Sequence, residues 1–254
     1  MTADSKHVPA VVASRRDVSA DLWIVRLRPE ERIVFTPGQY AAVGLPGSER
    51  LIERPYSIAS SPLDDELEFF LELVRGGHLS PQLYEVPVGG QVQVRRIAKG
   101  RFVFDQASGR PNHFMLATVT GVAPFLSMLR WLAALHDQGE AVPYRIALLH
   151  GASISRELGY CDELASLARR CPWFTYIPTV SRAWEDPAWA GERGRAEDVV
   201  RKHLDGLGFA AAETTAYACG NPDMIENVKG ILERAGFSKE SVKQEVYWVA
   251  EKKS

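Results

Sequence analysis

Residues 53–62, ERPYSIASSP, alternate residue types in the manner of a β-strand and decide how the first half of the chain folds. Because successive side chains of a strand point to opposite faces, Arg54, Tyr56 and Ile58 share one face. Pro55 lacks a backbone donor, which predicts an edge strand or a strand that enters a loop. A cation beside a flat ring suits a ligand that is both anionic and aromatic. The alternative is structural, with Tyr56 in the core and Arg54 a solvated surface charge.

Short strands separated by turns extend on both sides of this segment, up to about residue 105. They are rich in β-branched or aromatic residues and are bounded by Gly, Pro or Asp: HVPAVVASRRDVS (7–19), DLWIVRLRP (21–29), GQYAAVGLP (38–46), ELEFFLELVR (66–75) and GGQVQVRRI (89–97). Together with the opening segment they make six strands at nearly regular spacing. This pattern predicts an antiparallel β-barrel.

From about residue 113, strands alternate with helices. HFMLATV precedes a helix whose apolar residues keep helical spacing and whose stop signal is Gly139. The later pairs are YRIALLHG with RELGYCDELASLARR, FTYIPTVS with AEDVVRKHLDGLG, and TTAYACG with NPDMIENVKGILERAGF, followed by a last strand in SVKQEVYWVA. This alternation predicts a parallel sheet with helices on both faces and ligands beyond the carboxyl ends of its strands.

Composition narrows the function classes. The 254 residues have a net charge of −2, which argues against a general nucleic-acid binder. Cys161, Cys171 and Cys219 are too few and too widely spaced for a zinc site or an iron–sulfur cluster, and their odd number argues against a disulfide framework. We therefore expect a cytoplasmic protein. The N-terminus lacks an apolar signal region, and no run approaches the about 18 apolar residues of a membrane span, so no direct membrane insertion is expected.

The ordered motifs RPYSIAS, TGVAPF and CGNPDMI resemble those of the ferredoxin–NADP(+) reductase family, and most closely its compact bacterial ferredoxin/flavodoxin–NADP reductases. The resemblance implies a Greek-key FAD-binding β-barrel domain at 1–108 and a doubly wound α/β NADP-binding domain at 109–254. It implies hydride transfer from NADPH to FAD, and then transfer of single electrons to a ferredoxin or flavodoxin. From this resemblance we expect a monomer that binds FAD and NADP(H).

For FAD, the resemblance implies that Arg54 neutralises the pyrophosphate, Tyr56 stacks on the isoalloxazine and Ser57 hydrogen-bonds near its N5. Ser80 is expected to open a helix whose amide groups face the pyrophosphate. The other implied FAD contacts are Ile58, Leu73, Val74, Gly77, His78, Leu79 and Ser80.

For the pyridine nucleotide, TVTGVAPF resembles the family's glycine-rich turn, with Thr120, Gly121 and Pro124 matching. Val119 stands where the family has glycine, and a β-branched residue tolerates positive φ poorly. Arg182 and Arg195 match positions that bind the 2′-phosphate, whereas Ser153 stands where an arginine is common. NADPH is the favoured coenzyme, and NADH stays open.

The last implied site residues lie near the end of the chain. Cys219 is expected beside the reacting nicotinamide carbon, Gly220 lets the ring pass, and Asn221 begins a helix near the nucleotide. Tyr247 or Trp248, with Trp248 preferred, covers the flavin. The resemblance thus assigns the catalytic positions to Tyr56, Ser57, Cys219 and Trp248. Alternatively, Cys219 is a small buried hydrophobe and the two aromatic residues pack the final strand.

Two other functions remain open. One is an NADH-dependent ferredoxin reductase that serves an oxygenase, and the other is a flavin-binding redox sensor without turnover, suggested by Val119 and Ser153. The stretch VRRIAKGR supplies a candidate docking patch for an acidic carrier, or simply a solvated strand and loop: Arg95, Arg96, Lys99 and Arg101.

Overall fold

A computed structural model describes residues 6–46 and 51–247. Its contacts divide the chain into two compact units. The first unit contains the described residues up to Phe104 together with Ala123–Trp131, and the second contains Asp105–Val122 and the described residues from Leu132 onward. Each unit is built around one six-stranded sheet.

The first unit contains an antiparallel sheet in the order β4-β3-β6-β1-β2-β5. Its elements are β1 (His7–Asp17), β2 (Leu22–Pro29), β3 (Tyr40–Pro46), β4 (Leu51–Ser57), β5 (Leu67–Glu72), α1 (Ser80–Tyr84) and β6 (Gln91–Arg95). The two edges of the sheet approach just after β4, where the Ala59 amide donates to the Glu68 carbonyl at 2.8 Å. The predicted antiparallel Greek-key barrel is confirmed.

β4 is an edge strand of this sheet, as Pro55 predicts. Its inward side chains join a core formed by the inner faces of the strands, because Ile58 is fully buried and Tyr56 packs against the same cluster. Trp23, Leu27 and Phe69 lie at the centre of that cluster and are almost completely buried. The core therefore supports the strand that carries Arg54 and Tyr56.

The second unit contains a parallel sheet in the order β10-β9-β8-β7-β11-β12. Its elements are β7 (Asn112–Thr118), α2 (Ala123–Asp137), β8 (Arg145–Ala152), α3 (Cys161–Arg170), β9 (Phe174–Val180), β10 (Glu192–Arg193), α4 (Ala196–Leu207), β11 (Thr214–Gly220), α5 (Pro222–Arg234) and β12 (Val242–Val246). α2 itself is divided, with Ala123–Trp131 in the first unit and the residues from Leu132 onward in the second.

Helices cover both faces of the parallel sheet. α4 and α5 pack on the face that carries Leu116, Leu149 and Ile177. α3 lies on the other face, because its Cys161 hydrogen-bonds Tyr176, the neighbour of Ile177 along β9. The predicted doubly wound sheet is confirmed.

One segment corrects the expectation that no run is long and apolar enough to cross a membrane. Val119–Asp137 meets that criterion by length and composition, with a mean hydropathy of 1.2 over its most apolar window. Within this window 67% of the residues are buried inside the protein. Such burial is typical of the core helix of a globular protein, which passes the same test.

Candidate functional site

β4 presents a cation and a ring, the pair that the sequence singles out. Arg54 is exposed, and its Nη1 donates to the Glu53 carbonyl at 2.8 Å. Tyr56 is half-buried and stands edge-on to Phe69, with 6.4 Å between the ring centroids. Burial raises the pKa of Tyr56 to about 12, so its hydroxyl keeps its proton at neutral pH. The strand thus offers an accessible positive charge beside a protonated aromatic ring.

An ion cluster anchors β4 next to Arg54. The Glu53 carboxylate accepts from Arg95 Nε at 3.0 Å and lies 2.9 Å from His7 Nε2. These partners, with Arg95 the stronger, lower the pKa of Glu53 to about 2. Arg96 likewise pairs with Glu31. Arg95 and Arg96 of the candidate docking patch are therefore ion-paired within the unit, while Arg96, Lys99 and Arg101 are exposed.

Residues 74–80 form a tight glycine turn after β5. The Gly77 amide donates to the Val74 carbonyl at 2.8 Å, and a Cβ on Gly77 would lie only 2.9 Å from that oxygen. Gly76 has φ +81°, which glycine adopts at no steric cost. The predicted helix start at Ser80 is confirmed by α1, and the Ser80 hydroxyl accepts from the Val74 amide at 3.0 Å. Ser80 therefore holds the turn closed.

The other predicted FAD contacts divide by exposure. Ser57, Ile58 and Leu79 are buried, so their side chains face the protein interior. Leu73 is half-buried, whereas Val74 and His78 are exposed. One hydrophobic core contains Ile58 and Leu79, and Leu73 and Tyr56 pack against it. The same core therefore supports both β4 and the glycine turn. An exposed cation, a ring and a bare glycine turn on that support fit a flat cofactor with an anionic diphosphate.

In the second unit, two glycines bring the ends of β7 and β11 together. A Cβ on Gly121 would lie 2.3 Å from the Cys219 carbonyl oxygen, and one on Gly220 would lie 2.3 Å from Thr118 Oγ1. Gly220 also has φ +127°, which disfavours other residues. Only glycine at these two positions allows the ends of β7 and β11 to come so close, and neither position carries a side chain.

Asn221 joins this edge to α5. Its backbone amide donates to Thr118 Oγ1 at 2.9 Å. Its side-chain Oδ1 accepts from the backbone amides of Asp223 and Met224 at 2.9 and 3.2 Å. The predicted helix start is confirmed, with Asn221 as its N-cap. The cap directs the first turn of α5 to the same edge as Gly121 and Gly220.

Tyr247 closes the set. Its hydroxyl donates to the Thr120 carbonyl at 3.3 Å, its amide donates to the Gly220 carbonyl at 3.3 Å, and its side chain hydrogen-bonds Cys219. Cys219 is fully buried, which raises the pKa of its thiol well above the usual value and keeps it neutral. The structure thus brings together six predicted positions: Thr120, Gly121, Cys219, Gly220, Asn221 and Tyr247. Trp248 lies outside the described residues.

Val119 is the first residue of the turn Val119–Val122, here called the nucleotide turn, and its backbone is strained. It has φ +46°, and among the described residues it is the one non-glycine residue with positive φ. Such a backbone costs on the order of 1–3 kcal/mol. The 3₁₀ turn Val119–Val122 leads directly into α2, where Pro124 lies in the first turn and needs no donor. The turn is therefore present although its first glycine is replaced.

Arg182 and Arg195 lie at the ends of β9 and β10, which adjoin at the Gly194 amide and the Val180 carbonyl, 2.9 Å apart. Both arginines are exposed and carry loose ion pairs, Arg182 with Glu185 at 3.3 Å and Arg195 with Glu197 at 3.8 Å. The Arg182–Glu185 pair is exposed and contributes about 1 kcal/mol or less. Arg195 is itself exposed and only 3.8 Å from the buried Glu197, so both guanidinium groups can be redirected to a ligand.

Along this edge Arg182, after β9, lies two strands from β7, and Arg195, after β10, lies three strands from it. β8 separates β7 from β9, which places those strands about 10 Å apart. An extended dinucleotide fits this arrangement, with one end at the glycines and the phosphorylated ribose at the arginines.

Sequence reasoning placed Thr118 and His150 in segments that follow strands but gave them no role, and it did not single out Tyr176, which lies earlier in β9. Thr118 binds the Asn221 amide, and His150 binds Val119. The signal for His150 was a lone histidine at the end of the apolar run IALLH, a position that a buried strand rarely gives to a titratable side chain.

Comparison with known proteins defines the class. Residues 9–104 match the profile of the oxidoreductase FAD-binding domain, and residues 115–230 match that of the oxidoreductase NAD-binding domain. The chain is 32% identical to the flavodoxin/ferredoxin–NADP reductase of Escherichia coli (strain K12) over 202 residues, which cover 77% of each chain. The protein is thus an oxidoreductase with FAD- and NAD-binding domains. It belongs to the flavodoxin/ferredoxin–NADP reductase family, which confirms the resemblance.

Three further similar proteins differ in how much of their length this chain matches. The crystal structure of a ferredoxin NADP+ reductase from Neisseria gonorrhoeae with bound FAD and NADP superposes with a TM-score of 0.85 at 22% identity and covers 96% of this chain and 100% of that one. The phenol 2-monooxygenase reductase component DmpP of Pseudomonas sp. (strain CF600) is 31% identical over 85% of this chain. The chain spans about three fifths of the length of such oxygenase components, 58% for DmpP and 65% for a propane 2-monooxygenase reductase from Mycolicibacterium goodii.

Proposed function

We propose that the protein takes hydride from NADPH and passes electrons one at a time to a ferredoxin or flavodoxin. The observation that carries this proposal is a nucleotide edge with two exposed arginines, Arg182 and Arg195, in a chain that also has an FAD-binding domain. The 254 residues contain three cysteines, fewer than the four ligands of an iron–sulfur cluster, so the proposed one-electron carrier lies outside these residues.

FAD, when bound, supplies the exchange between a two-electron hydride donor and a one-electron acceptor. The chain's part is to bind and orient. The guanidinium of Arg54 would neutralise the diphosphate, Tyr56 would offer its ring, and the backbone of residues 74–80 would follow the phosphates. Since the Tyr56 hydroxyl and the Cys219 thiol both keep their protons, neither is a base at neutral pH.

NADPH selection would rest on Arg182 and Arg195, because a 2′-phosphate is bound best by guanidinium forks. Relatives that this chain matches over most of their length support the choice, among them the Escherichia coli enzyme and a ferredoxin–NADP reductase of Pseudomonas aeruginosa, 30% identical over 80% of each chain. The exposed Lys99 and Arg101 are candidates for docking an acidic carrier. The monomeric state and a cytoplasmic location stay predictions, the latter supported by three free cysteines.

A second candidate is an NADH-dependent reductase component of an oxygenase. The Ser153 amide donates to Glu157 Oε2 at 3.0 Å, which places a carboxylate at the loop where the family commonly has an arginine. A carboxylate there repels a 2′-phosphate and can accept from a ribose hydroxyl. The matches to DmpP and to the anthranilate 1,2-dioxygenase electron transfer component of Acinetobacter baylyi (strain ATCC 33305 / BD413 / ADP1) support this reading.

The test is anaerobic reduction of a purified [2Fe–2S] ferredoxin and, separately, a flavodoxin, followed by absorbance with NADPH or NADH as donor. We expect repeated turnover with a higher kcat/KM for NADPH. A higher kcat/KM for NADH would favour the oxygenase-type function. Turnover with ferricyanide but with neither carrier would contradict the proposed acceptor, and little turnover with any acceptor would indicate a flavin-binding sensor.

A further inference from the structure

His150, at the end of β8, bridges the strained nucleotide turn and β9. It is fully buried, its Nε2 lies 3.1 Å from the Val119 carbonyl oxygen, and its Nδ1 lies 3.1 Å from the Tyr176 hydroxyl. Tyr176 in turn hydrogen-bonds the thiol of Cys161 on α3. No step of the proposed reaction uses this set of polar groups, in which His150 is buried and Tyr176 and Cys161 are half-buried.

The partners fix the direction of both hydrogen bonds of His150. A carbonyl oxygen only accepts, so His150 Nε2 carries the proton and donates to Val119. The unprotonated Nδ1 then accepts from the Tyr176 hydroxyl. Burial lowers the pKa of His150 to about 4, in agreement with a neutral ring. The imidazole is thus held in one tautomer, with its single donor aimed at the turn.

The turn needs such a restraint because of its first residue. Val119 holds φ +46°, a conformation that glycine adopts freely and a β-branched residue does not. Its carbonyl oxygen accepts from His150, and two residues later Gly121 meets the end of β11. If the peptide after Val119 rotated to relieve the strain, Thr120 and Gly121 would turn with it.

We propose that His150 is a positioning residue for the pyridine nucleotide: its Nε2–H holds the Val119 carbonyl, and so keeps the Thr120–Gly121 amides in the orientation that the dinucleotide requires. The inference rests on the assignment of this turn to the nucleotide site, and it adds a residue that touches neither coenzyme nor flavin.

The test compares His150→Phe, which removes the donor but keeps a ring, with His150→Gln, whose side-chain amide reaches a similar position. Binding of NADP+ and of 2′-AMP to the flavin-loaded protein is measured by calorimetry. We expect His150→Phe to weaken NADP+ binding about tenfold, as for the loss of one buried hydrogen bond and its strained turn, and His150→Gln to restore it to within about threefold. Binding of 2′-AMP, which needs only the arginine end, should change less than about twofold.

A second comparison removes the need for the restraint. In the Val119→Gly background, glycine adopts the turn unaided, so His150→Phe should weaken NADP+ binding less than about twofold. This pair also carries the test if the single His150→Phe variant does not fold. Equal losses in the two backgrounds, or a parallel loss of 2′-AMP binding, would overturn the positioning role. Wild-type protein that binds neither NADP+ nor NAD+ would instead contradict the proposed function.

Discussion

Thr118 Oγ1 accepts a hydrogen bond from the Asn221 amide at 2.9 Å, and this bond joins the carboxyl ends of β7 and β11. The same oxygen occupies the space that a side chain on Gly220 would need. Thr118 therefore sets the separation of the two strand ends at which Gly121, Cys219 and Gly220 meet.

Replacing Thr118 by valine should weaken nucleotide binding without disturbing FAD. Valine keeps the shape but leaves the Asn221 amide without its acceptor, at a cost of about 1 kcal/mol, or about fivefold in Kd. Thr118→Ser keeps the hydroxyl and is the control. Titration with NADP+ and measurement of the flavin content check this, and equal affinities for the valine and serine variants would count against it.

Arg54→Ala should lower FAD retention. The exposed guanidinium is the cation on β4, and loss of a charge-assisted contact to a diphosphate costs about 1.5–3 kcal/mol, or at least about tenfold in affinity. Tyr56→Leu should also lower retention, since it removes the ring. Arg28→Ala is the control, because Arg28 lies exposed in the same unit and pairs with Glu66 at 2.6 Å. If the Arg54 and Tyr56 variants purify fully flavinated and equally active, the FAD site is assigned wrongly.

The double variant Arg182→Ala/Arg195→Ala should lower kcat/KM for NADPH about a hundredfold and leave that for NADH within about threefold, because only the 2′-phosphate needs these cations. Arg170→Ala, which removes an exposed arginine paired with Asp137, is the matched control. Steady-state kinetics with ferricyanide as acceptor measure both ratios. An equal loss of kcat/KM with the two coenzymes would show that the arginines do not bind the 2′-phosphate.

Acid should destabilise the second unit through His113 and His150. Burial lowers the pKa of each from 6.5 to about 4. The unfolded chain thus binds more protons than the folded one between these values, so stability is present above pH 6.5 and is lost as pH falls toward 4. We expect a loss of about 2 kcal/mol per histidine between pH 7 and 5.

Urea unfolding at pH 7 and pH 5, followed by circular dichroism, measures this loss. His113→Gln and His150→Gln should each remove about half of the pH dependence, since each variant lacks one titrating group. An unfolding free energy that does not change over this range would mean that both rings are protonated as readily in the folded state as in the unfolded state.

Much of the fold follows from local pattern. The apolar spacing of Phe125, Met128, Leu129 and Leu132, ended by Gly139, predicts a helix that the structure places at Ala123–Asp137. The alternation in ERPYSIASSP predicts β4, and Pro55 predicts its edge position. Each of these features is decided by residues close in sequence, which is why a single chain suffices to predict them.

What the sequence could not provide depends on residues far apart in the chain. β6 inserts between β1 and β3, and the two-residue β10 exists only because it pairs with β9. The segment that reads as one helix from Arg156 divides into a 3₁₀ turn at Ser155–Glu157 and α3. The bond from His150 to Val119 likewise joins a strand and a turn through residues 31 positions apart. Such contacts are set by tertiary packing and leave no periodic signal.

The most direct measurement is the absorbance spectrum of the purified protein, recorded anaerobically before and after addition of NADPH. The account predicts bound FAD, seen as flavin bands in the visible region, and bleaching of those bands within one equivalent of NADPH. A colourless protein that takes up no added FAD, or bound flavin that stays oxidised with both NADPH and NADH, would contradict it.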